Sequence, residues 1–111
     1  MLTISGNTRL FLCHHPVNMG KSFEGLTKVV EELFPGKMYS EAFFIFLNRK
    51  KDHMKVLFWD KDGWVIWFKR LEQGTFDWKW GSNCSLDRKT FLMLLEGVIP
   101  KRIQKRFSFG N

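Results

Sequence analysis

Cysteine, proline and long apolar runs are all scarce in this chain of 111 residues. Its two cysteines, Cys13 and Cys84, are too few for the disulfide framework of a small secreted domain, and we expect both to be reduced thiols. The longest apolar run, residues 42–47, is far too short to cross a bilayer. The first residues also lack the apolar segment of a signal peptide. These absences predict a soluble, cytoplasmic protein that does not span a membrane.

Acidic residues are also scarce: the chain has 11 Asp and Glu and 18 Lys and Arg, which gives a formal charge of +7. This excess favours an anionic partner such as nucleic acid or an anionic membrane surface, although a small protein can also simply be basic. Aromatic residues are abundant instead, at 16%, which argues against disorder, and a chain of this size can bury one modest core. We expect one domain over residues 1–97, followed by a basic C-terminal tail over residues 98–111.

The first half of the chain alternates between strand and helix signals. Residues 9–13 form a short apolar run bounded by turn residues, which predicts a strand. Apolar residues then recur at helical spacing over residues 23–34, with Ser22 or Asn18 as the candidate N-cap. Residues 42–47 are apolar on both faces, which is typical of a buried central strand.

A β-hairpin is predicted by two β-rich runs on either side of an Asp-Lys-Asp-Gly stretch. Its Asp62-Gly63 pair is a strong turn signal, because a tight hairpin turn needs positive φ angles. A two-residue turn at this pair would place Lys55 opposite Arg70, an unfavourable meeting of like charges unless an anion lies there. A four-residue loop would instead place Lys55 opposite Phe68. The sequence leaves both registers open.

The second half of the chain ends in another helix. A weaker signal predicts a short strand over residues 76–80, and a loop then leads to a helix over residues 86–96. Ser85 or Asp87 is the candidate N-cap, and Gly97 ends the helix. The order of the elements predicts an α+β fold: a single domain with a mainly antiparallel sheet of about four strands, a central β-hairpin and two helices.

The segment HPVNMGKS, residues 15–22, is similar to the phosphate-binding loop of P-loop nucleotide enzymes. The first glycine of that motif, which allows the loop to wrap around phosphates, is replaced here by His15. A P-loop fold also needs several parallel βαβ units, and a hairpin occupies the middle of this chain. We therefore disfavour nucleotide hydrolysis and expect no cofactor.

The sequence contains no set of metal ligands with a standard spacing. An Asp-rich stretch at residues 60–63 is similar to the start of a calcium loop, but Trp64 and Leu71 stand where oxygen ligands are needed. The thiols and imidazoles match no zinc finger or ribbon, and no group that would orient a Cys–His nucleophile is evident. We expect neither a metal nor a catalytic residue among Cys13, His14, His15, His53 and Cys84.

Tryptophans and basic residues are interleaved in the second half of the chain. All five tryptophans lie within residues 59–80, beside several lysines and arginines. Aromatic platforms next to cations suit single-stranded nucleic acid, in which bases stack and phosphates pair. Strand alternation favours a core position for most of these rings, with Trp64 and Phe68 on one face of the hairpin and Trp67 on the other.

Basic residues cluster around the hairpin, and such clusters favour contacts with backbone phosphates, which carry no sequence information. Lys21 joins this group because it precedes a predicted helix, whose N-terminus attracts anions together with the amides of Gly20 and Ser22. The candidate nucleic-acid-binding residues are Lys21, Arg49, Lys50, Lys51, Lys55, Lys69 and Arg70.

Residues 43–76 carry two linked motifs, W-D-x-D-G followed by K-R-L-E-x-G-x-F. Further matches lie between Arg9 and Leu26 and in the segment Leu94–Gly97. Over residues 9–97 the chain resembles the small accessory proteins, called TnpB or Orf2-like, of IS66-type bacterial insertion sequences. One departure is local: relatives carry Asp and Arg where this chain has Asn18 and Gly20.

The resemblance implies a protein that is encoded beside a separate DDE-type transposase and assists transposition without being the catalyst. We therefore expect a non-enzymatic accessory protein that binds DNA at the transposon ends, the transposase, or both. One alternative is a protein-interaction module that docks on the transposase without touching DNA. A more remote alternative is a nucleotide-binding enzyme with a degenerate P-loop.

Overall fold

A computed structural model describes residue 2 and residues 4–81 and 85–97 of the chain, so Cys84 and the predicted tail over residues 98–111 lie outside the described residues. In chain order the elements are β1 (Arg9–Leu12), α1 (Phe23–Leu33), β2 (Ala42–Leu47), β3 (His53–Asp60), β4 (Gly63–Arg70), β5 (Ser85–Leu86) and α2 (Arg88–Glu96). The five strands form one sheet with the order β4-β3-β2-β1-β5.

The β1 and β2 strands are parallel, and the other three neighbouring pairs are antiparallel. This sheet confirms the predicted α+β class in a single domain, with one strand more than expected. The predicted central strand is confirmed as well, since all six residues of β2 are buried. Helix α1 connects the two parallel strands, and the apolar spacing that predicted it places Leu26 and Val30 on its buried side.

The sheet is covered on both faces. On one face, hereafter the α1 face, Leu26 and Val30 cluster with Phe44 and Phe46 of β2. On the other, the α2 face, Phe91 and Leu94 of α2 cluster with alternate residues of the same strands. The domain therefore has three layers, and the strand alternation decides which layer each side chain joins.

The hairpin of β3 and β4 adopts the register in which Lys55 lies opposite Phe68. Asp60 pairs with Gly63, so the turn residues are Lys61 and Asp62, one residue earlier than the Asp-Gly signal indicates, and Lys61 takes the positive φ of 54°. The other register would have placed Lys69 opposite the buried Val56, which in the structure faces Trp67. Matching apolar side chains therefore sets the register.

The predicted short strand over residues 76–80 is wrong. Phe76 is 1% exposed and, with Trp78 and Trp80, packs on the α2 face, so these aromatic residues cover the sheet and do not extend it. The additional strand is β5, which pairs with β1. Helix α2 begins two residues later than predicted, because Asp87 caps it by accepting a hydrogen bond from the Thr90 amide (2.7 Å).

Candidate nucleic-acid interface

The carboxyl ends of the parallel strands β1 and β2 meet at one end of the sheet, and a cavity of about 540 Å³ opens there. The loop after β1 reaches this end because the Val17 amide donates to the Leu47 carbonyl (2.9 Å). Ligand sites in open α/β sheets commonly lie outside the carboxyl ends of parallel strands. The cavity is lined by Pro16, Val17, Asn18, Met19, Asn48, Arg49, Lys50, Asp52 and His53.

The loop before α1 is closed by hydrogen bonds to Asn18. The side-chain oxygen of Asn18 accepts from the Gly20 amide (2.6 Å), and its carbonyl accepts from the Lys21 amide (3.1 Å). From β3, the Lys55 ammonium donates to the carbonyls of Met19 (2.8 Å) and Lys21 (2.9 Å). We expected the Gly20 amide to face an anion, but it is already bonded within the loop. A loop that binds phosphate leaves such amides free for the ligand.

The turn between β2 and β3 is built on Asn48. Its side-chain oxygen accepts from the amides of Asp52 and His53 (3.0 Å each), and its amide group donates to the Asp52 carboxylate (2.7 Å). The same carboxylate lies 2.7 Å from His53 Nδ1, so the imidazole can donate to it. Hydrogen bonds from Asn48 and then His53 lower the pKa of Asp52.

A column of three side chains stands beside this turn on the α1 face. The ring of Phe68 stacks on the imidazole of His53, with centroids 5.7 Å apart and planes 24° apart. The Lys55 ammonium lies 5.5 Å from the Phe68 centroid, within reach of a cation–π interaction. Phe68 is 51% exposed, so the column presents an aromatic surface beside a cation and an imidazole.

The structure brings only some of the predicted basic residues together. Arg49 and Lys50 are exposed in the turn and line the cavity, while Lys21 is exposed in the loop that faces it. Lys55 lies next to them, but its ammonium group donates to the two loop carbonyls. These four residues form the basic end of the domain.

The remaining three predicted residues point elsewhere. Lys51 donates to the Trp78 carbonyl and lies 5.4 Å from the Trp80 ring, and Lys69 donates to the Leu95 carbonyl (2.7 Å) on the α2 face. Arg70, at the end of β4, forms an exposed ion pair with Glu72 (2.9 Å). The seven candidates thus do not form one surface: four lie at the basic end, Lys51 and Lys69 reach carbonyls elsewhere, and Arg70 lies on the edge strand β4.

Residue patterns alone missed the polar network of Asn48, Asp52 and His53, together with the role of Phe68. The network depends on a tight turn that brings residues four and five positions apart into contact, and its only sequence signal is an Asn before a short basic turn. The predicted alternation of the hairpin is confirmed, since Trp64 and Ile66 pack on the α1 face and Trp67 packs on the α2 face.

Other functional signals are weak over the part of the chain that the structure describes. No group of three or more His, Cys, Asp or Glu side chains could hold a metal ion there. Among the same residues, no helix is long and apolar enough to cross a membrane. Cys13 is buried, with its thiol 3.4 Å from the His15 carbonyl.

Comparisons with known proteins give two matches. Residues 8–105 match a family model described as IS66 Orf2 like protein. An uncharacterized protein, y4jC, of Sinorhizobium fredii (strain NBRC 101917 / NGR234) is 26% identical over 108 residues, a span that covers 96% of this chain and 92% of the relative. No solved structure matches the chain.

Proposed function

Since the chain belongs to the IS66 Orf2-like family of insertion-sequence accessory proteins, we propose that it assists transposition by binding DNA through its basic end. Membership of this family confirms the resemblance drawn from the paired motifs. The finer proposal is that the protein works in the cytoplasm, beside the transposase of the same element, and contacts the backbone of the transposon ends without catalysing a reaction.

The observation that carries this proposal is the exposure of Arg49 and Lys50 where they line the cavity, together with the exposure of Lys21 in the loop before α1. Within the described residues none of these three side chains has an ion-pair or hydrogen-bond partner, so each can meet a phosphate without losing an internal contact. Cations on turns position a protein on a nucleic acid backbone. The Phe68 column beside them offers a surface on which a base can stack.

Titration of fluorescent DNA carrying the element's terminal sequence tests the proposal. With three to four phosphates engaged, the logarithm of the binding constant should fall against log salt with a slope of about −3 to −4. Replacing Arg49 and Lys50 together by Glu should weaken binding by about tenfold or more at low salt. A flat salt dependence, or no binding to this DNA, would contradict the proposal.

A matched control separates a local contact from a general charge effect. Lys28→Glu with Lys61→Glu changes the net charge by the same amount, at exposed positions on α1 and at the hairpin turn. This control should bind DNA several-fold more tightly than the Arg49→Glu/Lys50→Glu protein, because the latter also loses its phosphate contacts. Equal losses in the two variants would mean that net charge alone attracts the DNA.

A second candidate function, docking on the transposase, is favoured by an aromatic cluster at the hairpin turn. Tyr39 is 66% exposed and contacts the rings of Trp59 (5.2 Å between centroids) and Trp64 (5.5 Å). Exposed aromatic clusters are typical of protein contact surfaces. Co-purification with the transposase that survives nuclease and high salt, and that is lost in Tyr39→Ala, would support this function. Loss of the complex on nuclease treatment would instead assign it to DNA.

A further inference from the structure

The β4 strand is an edge of the sheet, and it is long for an edge. It pairs with β3 on one side along eight residues, and within the described residues the sheet order places no strand on its other side. The opposite edge, β5, is only two residues long. Proteins usually protect edges by keeping strands short or by placing charges and prolines on them.

The outward side of β4 carries a full set of unused backbone groups. The Leu71 amide donates to the Asp52 carbonyl (2.8 Å), so the odd-numbered residues of β4 face β3 and the even-numbered ones face outward, as antiparallel pairing requires. The outward residues are Trp64, Ile66, Phe68 and Arg70. Among the described residues, none of their amides or carbonyls has a hydrogen-bond partner.

The composition of this edge does nothing to prevent pairing. Residues 63–68 read GWVIWF, with no charge and no proline, and β-branched and aromatic side chains of this kind favour strand pairing. The basic Lys69 and Arg70 come only at the end of the strand, and Lys69 is turned to the α2 face by its bond to Leu95. Such an edge suits another strand of the same kind.

A second copy of this chain fits the edge with complementary charges. Antiparallel pairing about a twofold axis perpendicular to the sheet can set Ile66 opposite Ile66 of the second copy. Phe68 then lies opposite the second Trp64, and Arg70 lies opposite the second Asp62. The symmetric registers on either side, centred on Val65 and on Trp67, would set Asp62 opposite Phe68 or Arg70 opposite Trp64 instead. Cross-strand pairs of aromatic residues stabilise a sheet, which favours the register centred on Ile66.

We infer that the protein forms a symmetric dimer in which β4 pairs antiparallel with β4 of a second copy, with Ile66 on the twofold axis, so that the two sheets become one of ten strands. About six backbone hydrogen bonds join the copies. The exposed Arg70–Glu72 pair, 62% and 74% exposed, is weak and does not hold Arg70 away from Asp62 of the second copy. This inference does not depend on DNA binding.

Disulfide trapping tests both the contact and its register. Opposite residues of a hydrogen-bonded antiparallel pair have Cα atoms about 5.5 Å apart, within disulfide range. In a chain with Cys84→Ser, Ile66→Cys should therefore form a disulfide-linked dimer under mild oxidation. Phe68→Cys is the matched control on the same edge: its two copies lie more than about 13 Å apart and should stay unlinked. Linked Phe68→Cys, or unlinked Ile66→Cys, overturns the register.

Measurements on the unmodified edge keep the inference independent of the cysteine variants. Sedimentation equilibrium of the full chain should give about twice the monomer mass of 13.2 kDa. Arg70→Asp should weaken dimerisation by about tenfold, because two cross-strand attractions become repulsions. Asp62→Arg combined with Arg70→Asp should restore it. A monomer at all accessible concentrations, or no rescue by the double charge swap, overturns the proposal.

Discussion

The turn between β2 and β3 and the strands of the hairpin use basic residues in different ways. In the turn, Arg49 and Lys50 are exposed beside the cavity. In the strands, Lys55 ties the loop before α1 to the α1 face, and Lys69 ties the carbonyl of Leu95 in α2 to the α2 face. Lys55 and Lys69 therefore fasten neighbouring segments, whereas Arg49 and Lys50 are left for a ligand.

The two lysine tethers have a common physical basis. Each ammonium meets carbonyl groups that a loop or a helix end leaves without a backbone partner, and a cation near a helix C-terminus also complements the helix dipole. Lys69 does this at the last turn of α2, and Lys55 does it for Met19 and Lys21. Clustering of basic residues along a sequence is thus a poor guide to a charged surface when strands carry them.

The largest expected effect is a difference in stability between variants of the hairpin strands and variants of the turn. Replacing Lys55 and Lys69 together by Met keeps the length of the side chains but removes three hydrogen bonds to carbonyl oxygens. We expect the free energy of unfolding to fall by about 2–4 kcal/mol, because a hydrogen bond to a charged group contributes more than a neutral one. Urea denaturation monitored by tryptophan fluorescence gives this value.

The matched control for the strand variant is Arg49→Met with Lys50→Met. Both side chains are exposed and unpartnered within the described residues, so the free energy of unfolding should change by less than about 0.5 kcal/mol. If the turn variant loses as much stability as the strand variant, the division between tethers and free cations is wrong.

Sequence patterns predicted the elements better than the side-chain contacts. Apolar periodicity gave α1 and the buried strand β2, since burial at each position follows from local spacing. It could not choose the hairpin register, which depends on matching Val56 with Trp67 across the strands. The aromatic run over residues 76–80 was mistaken for a strand, because packing on a sheet and pairing within one favour the same residues.

The candidate site was predicted only in part for a related reason. Arg49 and Lys50 could be found from charge and turn position, and the structure places both at the cavity. The partners of Lys51, Lys55 and Lys69 are backbone carbonyls far away in the chain, and a carbonyl leaves no signature in a sequence. Long-range hydrogen bonds to the main chain therefore decide which basic residues remain available.

The next effect is a difference in the salt dependence of DNA binding between the turn variant and the strand variant. Each phosphate contact contributes about one unit to the salt slope, so Arg49→Met with Lys50→Met should make the slope less steep by about 2. Lys55→Met with Lys69→Met should leave the slope nearly unchanged while the protein is folded. Anisotropy titrations over a range of salt concentrations, at a temperature where circular dichroism shows both variants folded, give the comparison. A larger slope change in the strand variant would assign the phosphate contacts to the hairpin.

The smallest effect concerns how the turn is held in place. Hydrogen bonds from Asn48 and His53 lower the pKa of Asp52 below its ordinary value of 3.8. A carboxyl group whose pKa is lower in the folded state adds stability that is fully present above its unfolded pKa and is lost as the pH falls through the folded pKa. The contribution of Asp52 should therefore be present at about pH 5 and should disappear at an acidic pH below its folded pKa.

Asn48→Ala tests whether the turn depends on this pairing. Without the Asn48 amide the pKa of Asp52 should rise towards 3.8, so the loss of unfolding free energy on acidification should be smaller than in the unchanged protein. Asp52→Asn should show a similar reduction, because it removes the titrating group itself. Urea denaturation at the two pH values measures the difference. An unchanged acid dependence in Asn48→Ala, together with a reduced one in Asp52→Asn, would mean that His53 alone holds the Asp52 carboxylate and that the Asn48 amide does not lower its pKa.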